Sequence, residues 1–333
     1  MKPNELVGYL NKLVEDNILL SAMVWGAPGI GKSSIVHQVA DAHSLDCIDL
    51  RLSQLAPTDL RGLPVPRDDK AVWLSPEFLP REGKGILFLD EINMAPPALQ
   101  GVAQQLILDR RVGRYSVPEG WFVWAAGNRK EDRAAVFDMP LPLANRFIHL
   151  EIEVCPEDFR QYAYAQQVDA QLIAFVTFRE DLLHKMHEAE VAWPSPRSWV
   201  MADALHRAGL SIAPAVGLGP ASEFEAYLEI MQTTPDLDRV IEGKPDVAFP
   251  DEVSLRYASV MGLVARCKTP EHAINSFRWL IARAPAEWIQ LFATDLFPLL
   301  RVKDLLEPVH HALMNDPELR EFLSEFSQLL AYG

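Results

Sequence analysis

The chain has 333 residues, 49% hydrophobic and 23% charged, which is enough apolar mass for a sizeable core and more than one domain and excludes a disordered chain. Its 31 basic against 46 acidic side chains give a net charge of −15, a balance that opposes broad attachment to nucleic acid or to anionic membranes. Three cysteines, Cys47, Cys155 and Cys267, lie far apart with no His or Cys at ligand spacing, so neither a disulfide framework nor a zinc site is indicated.

The opening residues, MKPNELVGYLNKLVEDN, carry acids and an amphipathic pattern instead of a basic region followed by an apolar core, so they do not read as a signal peptide. No run approaches the about twenty apolar residues of a membrane span, and a cytoplasmic protein without membrane insertion is expected. Leu6, Val7, Leu10, Leu13 and Val14 recur at helical spacing within 5–20. Strand-like stretches follow at 22–25, 47–52, 86–89, 121–126 and 147–152, with helical patterns at 32–43 and 97–109. This alternation predicts a three-layer α/β domain with a mostly parallel sheet over residues 1–155.

Two connections interrupt the alternation. Within 57–80, Leu63-Pro64-Val65-Pro66 and Ala71-Val72-Trp73-Leu74 flank a polar turn, and their prolines confine the pair to an edge or free-standing hairpin. A second hairpin is expected near 113–121. From about 156 onward only helical patterns remain, at 157–167, 169–184, 197–208, 222–232, 253–267, 270–283, 285–300, 302–313 and 316–331. They are read as a helical lid over 156–232 and a helical C-terminal extension over 233–333.

Chemistry concentrates in five places. Gly26-Ala27-Pro28-Gly29-Ile30-Gly31-Lys32-Ser33 follows an apolar strand and opens a helix, with Ser34 next in line. Glycines at these positions let successive N–H groups face phosphates, Lys32 reaches the β- and γ-phosphates, and the Ser33 hydroxyl suits magnesium. Ile86-Leu87-Phe88-Leu89-Asp90-Glu91, 57 residues beyond Ser33, is a buried strand ending in two carboxylates. There Asp90 would order magnesium and its waters and Glu91 would polarise the attacking water, although an isolated pair of this kind could merely begin a helix.

Asn128 ends the apolar stretch Val123 to Gly127, where an amide could hold the lytic water or sense the γ-phosphate; alone it could equally be a loop residue. Arg146 falls just before the fifth strand, placed either to enter a neighbouring subunit's site or to form a local ion pair. Ser195-Pro196-Arg197 reads as an N-cap, a first helical residue and a first-turn cation whose opposition to the helix dipole calls for an anion, either a γ-phosphate or a nearby carboxylate.

These five elements, in this order, resemble the AAA+ ATPases, and the two hairpins make the chain look like the MoxR and dynein-related branch. The resemblance covers about residues 5–210. It implies that Gly26 to Ser33 is the Walker A loop, Asp90 and Glu91 are Walker B, Asn128 is sensor 1, Arg146 is the arginine finger and Arg197 is sensor 2. Arg110, Arg111, Arg129 and Arg133 compete for the finger role.

The resemblance further implies ATP and Mg2+ as cofactors and a homo-oligomeric, commonly hexameric ring with each nucleotide between two subunits. It also implies a chaperone-like activity on a client protein, among them clients with a von Willebrand factor A domain. The alternative is a nucleic-acid-associated or restriction-type ring NTPase, against which the acidic balance stands. Trp73 and Tyr115 are the hairpin aromatics expected either to meet a client or to lie under their own loops.

Overall fold

The computed structural model describes residues 1–320 except 133–135, 187–189, 233–234, 245, 303 and 317–318. The chain divides into two compact units, Met1–Cys155 and Pro156–Gly333.

The first unit runs α1 (Pro3–Glu15), β1 (Ala22–Trp25), α2 (Lys32–Ala42), β2 (Asp46–Arg51), α3 (Pro57–Arg61), β3 (Leu63–Arg67), β4 (Lys70–Leu74), β5 (Gly85–Asp90), α4 (Pro97–Leu108), β6 (Arg111–Val112), β7 (Tyr115–Ser116), β8 (Trp121–Gly127), α5 (Leu141–Ala144) and β9 (Ile148–Glu151). Five strands form one sheet in the order β2-β5-β8-β1-β9, with every neighbouring pair parallel. Every residue of β5 and β8 is buried. This explains why both read as unbroken apolar runs: a central parallel strand is covered on both faces. One face carries Leu6, Leu10 and Val36 with Phe88 and Trp124; the other carries Leu99, Val102 and Leu106 with Leu87 and Val123.

That order has a functional consequence. β8 lies between β1, which leads into the glycine loop, and β5, which ends in the carboxylates. The residue after β8 therefore stands between loop and carboxylates. β3 and β4 form an antiparallel hairpin outside the sheet. The second hairpin is shorter and earlier than the sequence suggests, pairing Arg111–Val112 with Tyr115–Ser116.

The second unit runs α6 (Pro156–Ala165), α7 (Ala170–Phe178), α8 (Pro196–Arg207), α9 (Ala213–Val216), α10 (Leu218–Gln232), α11 (Leu237–Ile241), α12 (Val253–Arg266), α13 (Pro270–Arg283), α14 (Ala286–Val302) and α15 (Leu306–Asn315). α12 contacts α7 and α10, and α14 contacts α6, so the expected division at 232 does not separate compact bodies. α7 stops at Phe178 instead of continuing to 184, and most of the helix expected over 316–331 lies outside the described residues. The core of this unit gathers Phe175 with Trp199, Phe224 and Tyr227. Asp295 of α14 is buried beside Arg160, 3.0 Å away. Among the described residues no helix is long and apolar enough to cross a membrane.

Candidate nucleotide site

β1 delivers the chain to Gly26, and the backbone then turns through Gly29 (φ 80°) and Gly31 (φ 98°), both in the left-handed region that side chains resist. The turn lets α2 begin at Lys32, so its first free N–H groups face the loop. Ile30 is buried in the apolar cluster beneath, whereas Pro28 is half-buried and Ser34 is exposed. Lys32 is itself buried, and its Nζ donates to Gly26 O at 2.7 Å, Ala27 O at 3.0 Å and Asn128 Oδ1 at 2.9 Å. A full cation is thus held inside the loop by three acceptors.

At the end of β5, Asp90 Oδ2 accepts from Ser33 Oγ at 2.7 Å, and Asp90 Oδ1 accepts from the Glu91 N–H at 2.8 Å. Glu91 adopts a left-handed backbone (φ 54°, ψ 34°), an outlier for a long side chain. Its Oε2 accepts from Ser53 Oγ at 2.6 Å. Ser53 was not foreseen from the sequence: it follows β2, the sheet neighbour of β5, and only the pairing of Arg51 with Asp90 brings it within reach. Also on β2, Asp49 faces His37 at 3.6 Å; burial, with the charge of Asp90, holds its carboxyl above the ordinary range.

Asn128 is buried between these groups. Its amide oxygen accepts from Lys32, and its backbone is clamped by a second asparagine that the sequence reading passed over. Asn93 Nδ2 donates to Asn128 O at 2.7 Å, and Asn128 N–H donates to Asn93 Oδ1 at 3.2 Å. This two-way pairing ties the end of β8 to the turn after β5. It also requires Gly127, where a Cβ would stand 2.6 Å from Asn93 Oδ1.

The arginines separate by environment. Arg129 is bonded to Asp132 and Glu151, which raise its pKa, and this takes it out of competition for a free guanidinium. Arg110 is turned inward, donating to Pro118 O at 3.1 Å and Trp121 O at 2.5 Å. Arg111 is exposed on the second hairpin, and Arg133 lies outside the described residues. Arg146 is exposed in the turn before β9; its N–H donates to Leu143 O at 3.1 Å, and its guanidinium has no hydrogen bond or ion pair among the described residues.

Arg197 belongs to the helical unit, exposed in the first turn of α8 behind the Ser195 cap, whose Oγ accepts from Ser198 N–H at 3.1 Å. No carboxylate among the described residues pairs with it. Tyr115 is buried and donates to Pro80 O at 2.7 Å, so it ties the second hairpin to the connection between β4 and β5; Trp73 is exposed on the first hairpin. Burial pushes the Cys47 thiol up to about 11, which leaves it protonated and unreactive at neutral pH.

The loop, its buried lysine, a serine hydroxyl against an aspartate and a carboxylate at the next position together define a phosphate-loop nucleotide-binding domain. Residues 21–137 match the family model of the AAA domain, dynein-related subfamily. No curated protein sequence matches the chain. Among solved structures, the RuvB Holliday junction branch migration motor of Thermotoga maritima shares 16% identity over 69% of this chain and 74% of that one, with a TM-score of 0.39. NtrX from Brucella abortus in complex with ADP shares 14% identity over 98% and 68%, with a TM-score of 0.37.

Proposed function

We propose that the chain is a MoxR-like ATPase that hydrolyses ATP within an oligomeric ring and uses the motion to remodel or activate a partner protein. The observation that carries the hydrolytic part is the line from Lys32 through Asn128 to Ser33, Asp90 and Glu91 at one end of the parallel sheet. Lys32 is positioned to exchange its contacts with loop carbonyls for the β- and γ-phosphates of ATP. Asn128 holds Lys32 and can orient a water against the γ-phosphate. Glu91 accepts the proton of that water once its carboxylate leaves Ser53.

The Ser33 hydroxyl and Asp90 form a hard-oxygen pair that fits Mg2+, which when bound would neutralise phosphate charge and take its remaining ligands from phosphate and water.

The ring rests on Arg146. β9 begins beside the start of β1, with Ala22 opposite Ile148, whereas the phosphate loop leaves the other end of β1, about 10 Å further along the strand. An exposed arginine at that end is poorly placed for its own loop and well placed for a neighbour's. Arg197, uncommitted on α8, is the proposed second cation for the γ-phosphate. The free-standing hairpin, with Leu63, Trp73 and Leu74 exposed, is the proposed contact with a client, including one that carries a von Willebrand factor A domain.

Steady-state ATP hydrolysis against protein concentration, with mass measured in parallel, tests this reading. Specific activity should rise as a large oligomer forms. Glu91→Gln should bind ATP without turnover and trap the client, and Arg146→Ala should assemble yet stay inactive. Turnover independent of concentration and of Arg146 would sink the ring assignment.

A further inference from the structure

The exposed side of the sheet holds a hydrogen-bonded chain that none of the groups above accounts for. Trp25 is the last residue of β1, immediately before Gly26, and its indole Nε1–H donates to His149 Nδ1 at 2.8 Å. The rings lie 12° from parallel with centroids 6.1 Å apart. An indole N–H can only donate, so Nδ1 must carry a lone pair and the imidazole proton must sit on Nε2. Nε2 then donates to Ala144 O at 2.8 Å.

Ala144 ends α5, and the same carbonyl accepts from the Phe147 N–H at 3.2 Å, closing the turn that contains Arg146. Phe147 meets the His149 ring edge-on, at 6.3 Å between centroids. One carbonyl therefore anchors the arginine turn, and one imidazole connects that carbonyl to the residue preceding the phosphate loop.

We propose that the Trp25–His149–Ala144 chain sets the position of Arg146 from the strand that ends in the phosphate loop, with His149 as a positioning residue. The proposal rests on the reading of Arg146 as the arginine presented to a neighbouring nucleotide. Displacement of the loop moves Trp25, and the two hydrogen bonds pass that displacement to the arginine turn. The state of one subunit's nucleotide is thereby communicated to the next subunit's site.

The test uses the 333-residue chain at concentrations where mass shows assembly, comparing wild type, Trp25→Phe, His149→Ala and Arg146→Ala over an ATP series. Trp25→Phe keeps an aromatic ring and removes only the donor. It should lower kcat about fivefold, one hydrogen bond's worth of positioning, with the KM for ATP unchanged. His149→Ala, which removes both hydrogen bonds, should lower kcat at least as far, again with the KM for ATP unchanged.

Wild-type kcat in Trp25→Phe or His149→Ala, or a change in KM alone, would each overturn the linkage while Arg146→Ala remained inactive. Full turnover by Arg146→Ala would instead remove the reading of Arg146 beneath it. Thermal unfolding of each variant separates a folding defect from either result.

Discussion

In the α/β unit Lys32 is buried and its ammonium meets three acceptors within 3.0 Å, while in the helical unit Asp295 is 1% exposed and neither of its oxygens has a hydrogen bond. Arg160 approaches one Asp295 oxygen at 3.0 Å, without hydrogen-bond geometry. Burial lifts the Asp295 carboxyl to about 6 against the partial opposition of Arg160, and burial with the charge of Asp295 raises Tyr164 and Tyr257. Both units place charge in their interiors, but Lys32 is surrounded by hydrogen-bond partners and Asp295 is not. A buried charge whose bonds are made is preorganised for a ligand that exchanges for them; one whose bonds are missing penalises its own charged form.

The sharpest way to break this contrast is to remove the satisfied charge. Lys32→Ala should lower ATP affinity and turnover by at least on the order of a hundredfold, the worth of two charge-assisted hydrogen bonds, as read by nucleotide titration and steady-state hydrolysis. Next, Asn93→Ala strips two hydrogen bonds from the backbone of Asn128 and leaves buried groups unpaired. It should cost about 2 kcal/mol in urea unfolding and about tenfold in kcat.

For the helical unit the sign follows from linkage. A carboxyl raised from 3.8 to about 6 binds its proton more tightly when folded, so its contribution to stability is fully present below the unfolded value and is lost as pH rises through 6. Relative to Asp295→Asn, wild type should therefore gain about 1–2 kcal/mol between pH 7.5 and pH 5 in denaturant titrations. A parallel pH dependence in the two proteins would show that Asp295 is better satisfied than its geometry indicates. The smallest effect is expected at Ser53: Ser53→Ala frees Glu91 and should raise basal turnover about fivefold at constant ATP affinity, whereas lower turnover would make Ser53 an orienter of the active carboxylate.

Legibility followed distance along the chain. The loop and α2 are contiguous, and β5 is an apolar run with its carboxylates at the tip, so glycine chemistry and burial on two faces were visible in short words of sequence. Ser53, Asn93 and His149 were not, because each is a single polar residue whose partner arrives from 38, 35 or 124 positions away through sheet order. For Tyr115 the sequence offered a client or its own loop, and the structure instead buries it with its hydroxyl on Pro80, 35 positions away in the connection between β4 and β5. The competition among arginines was settled for Arg129 and Arg110 by partners that no local pattern displays. The short helices α9 and α11 fell between the expected helical stretches, since four or five residues give too little periodicity to register.

The left-handed backbone at Glu91 bears on how this sequence would drift. A long side chain there carries strain of about 1–2 kcal/mol that glycine or asparagine would largely relieve. Selection of variants for heat resistance alone, with no demand for turnover, should therefore replace Glu91 early, and the survivors would be sturdier proteins that bind nucleotide and never release it as product. On the role proposed for Glu91, the carboxylate stays where folding would rather not have it because hydrolysis requires it, and resistance to heat and rate of turnover meet at this one residue as rivals.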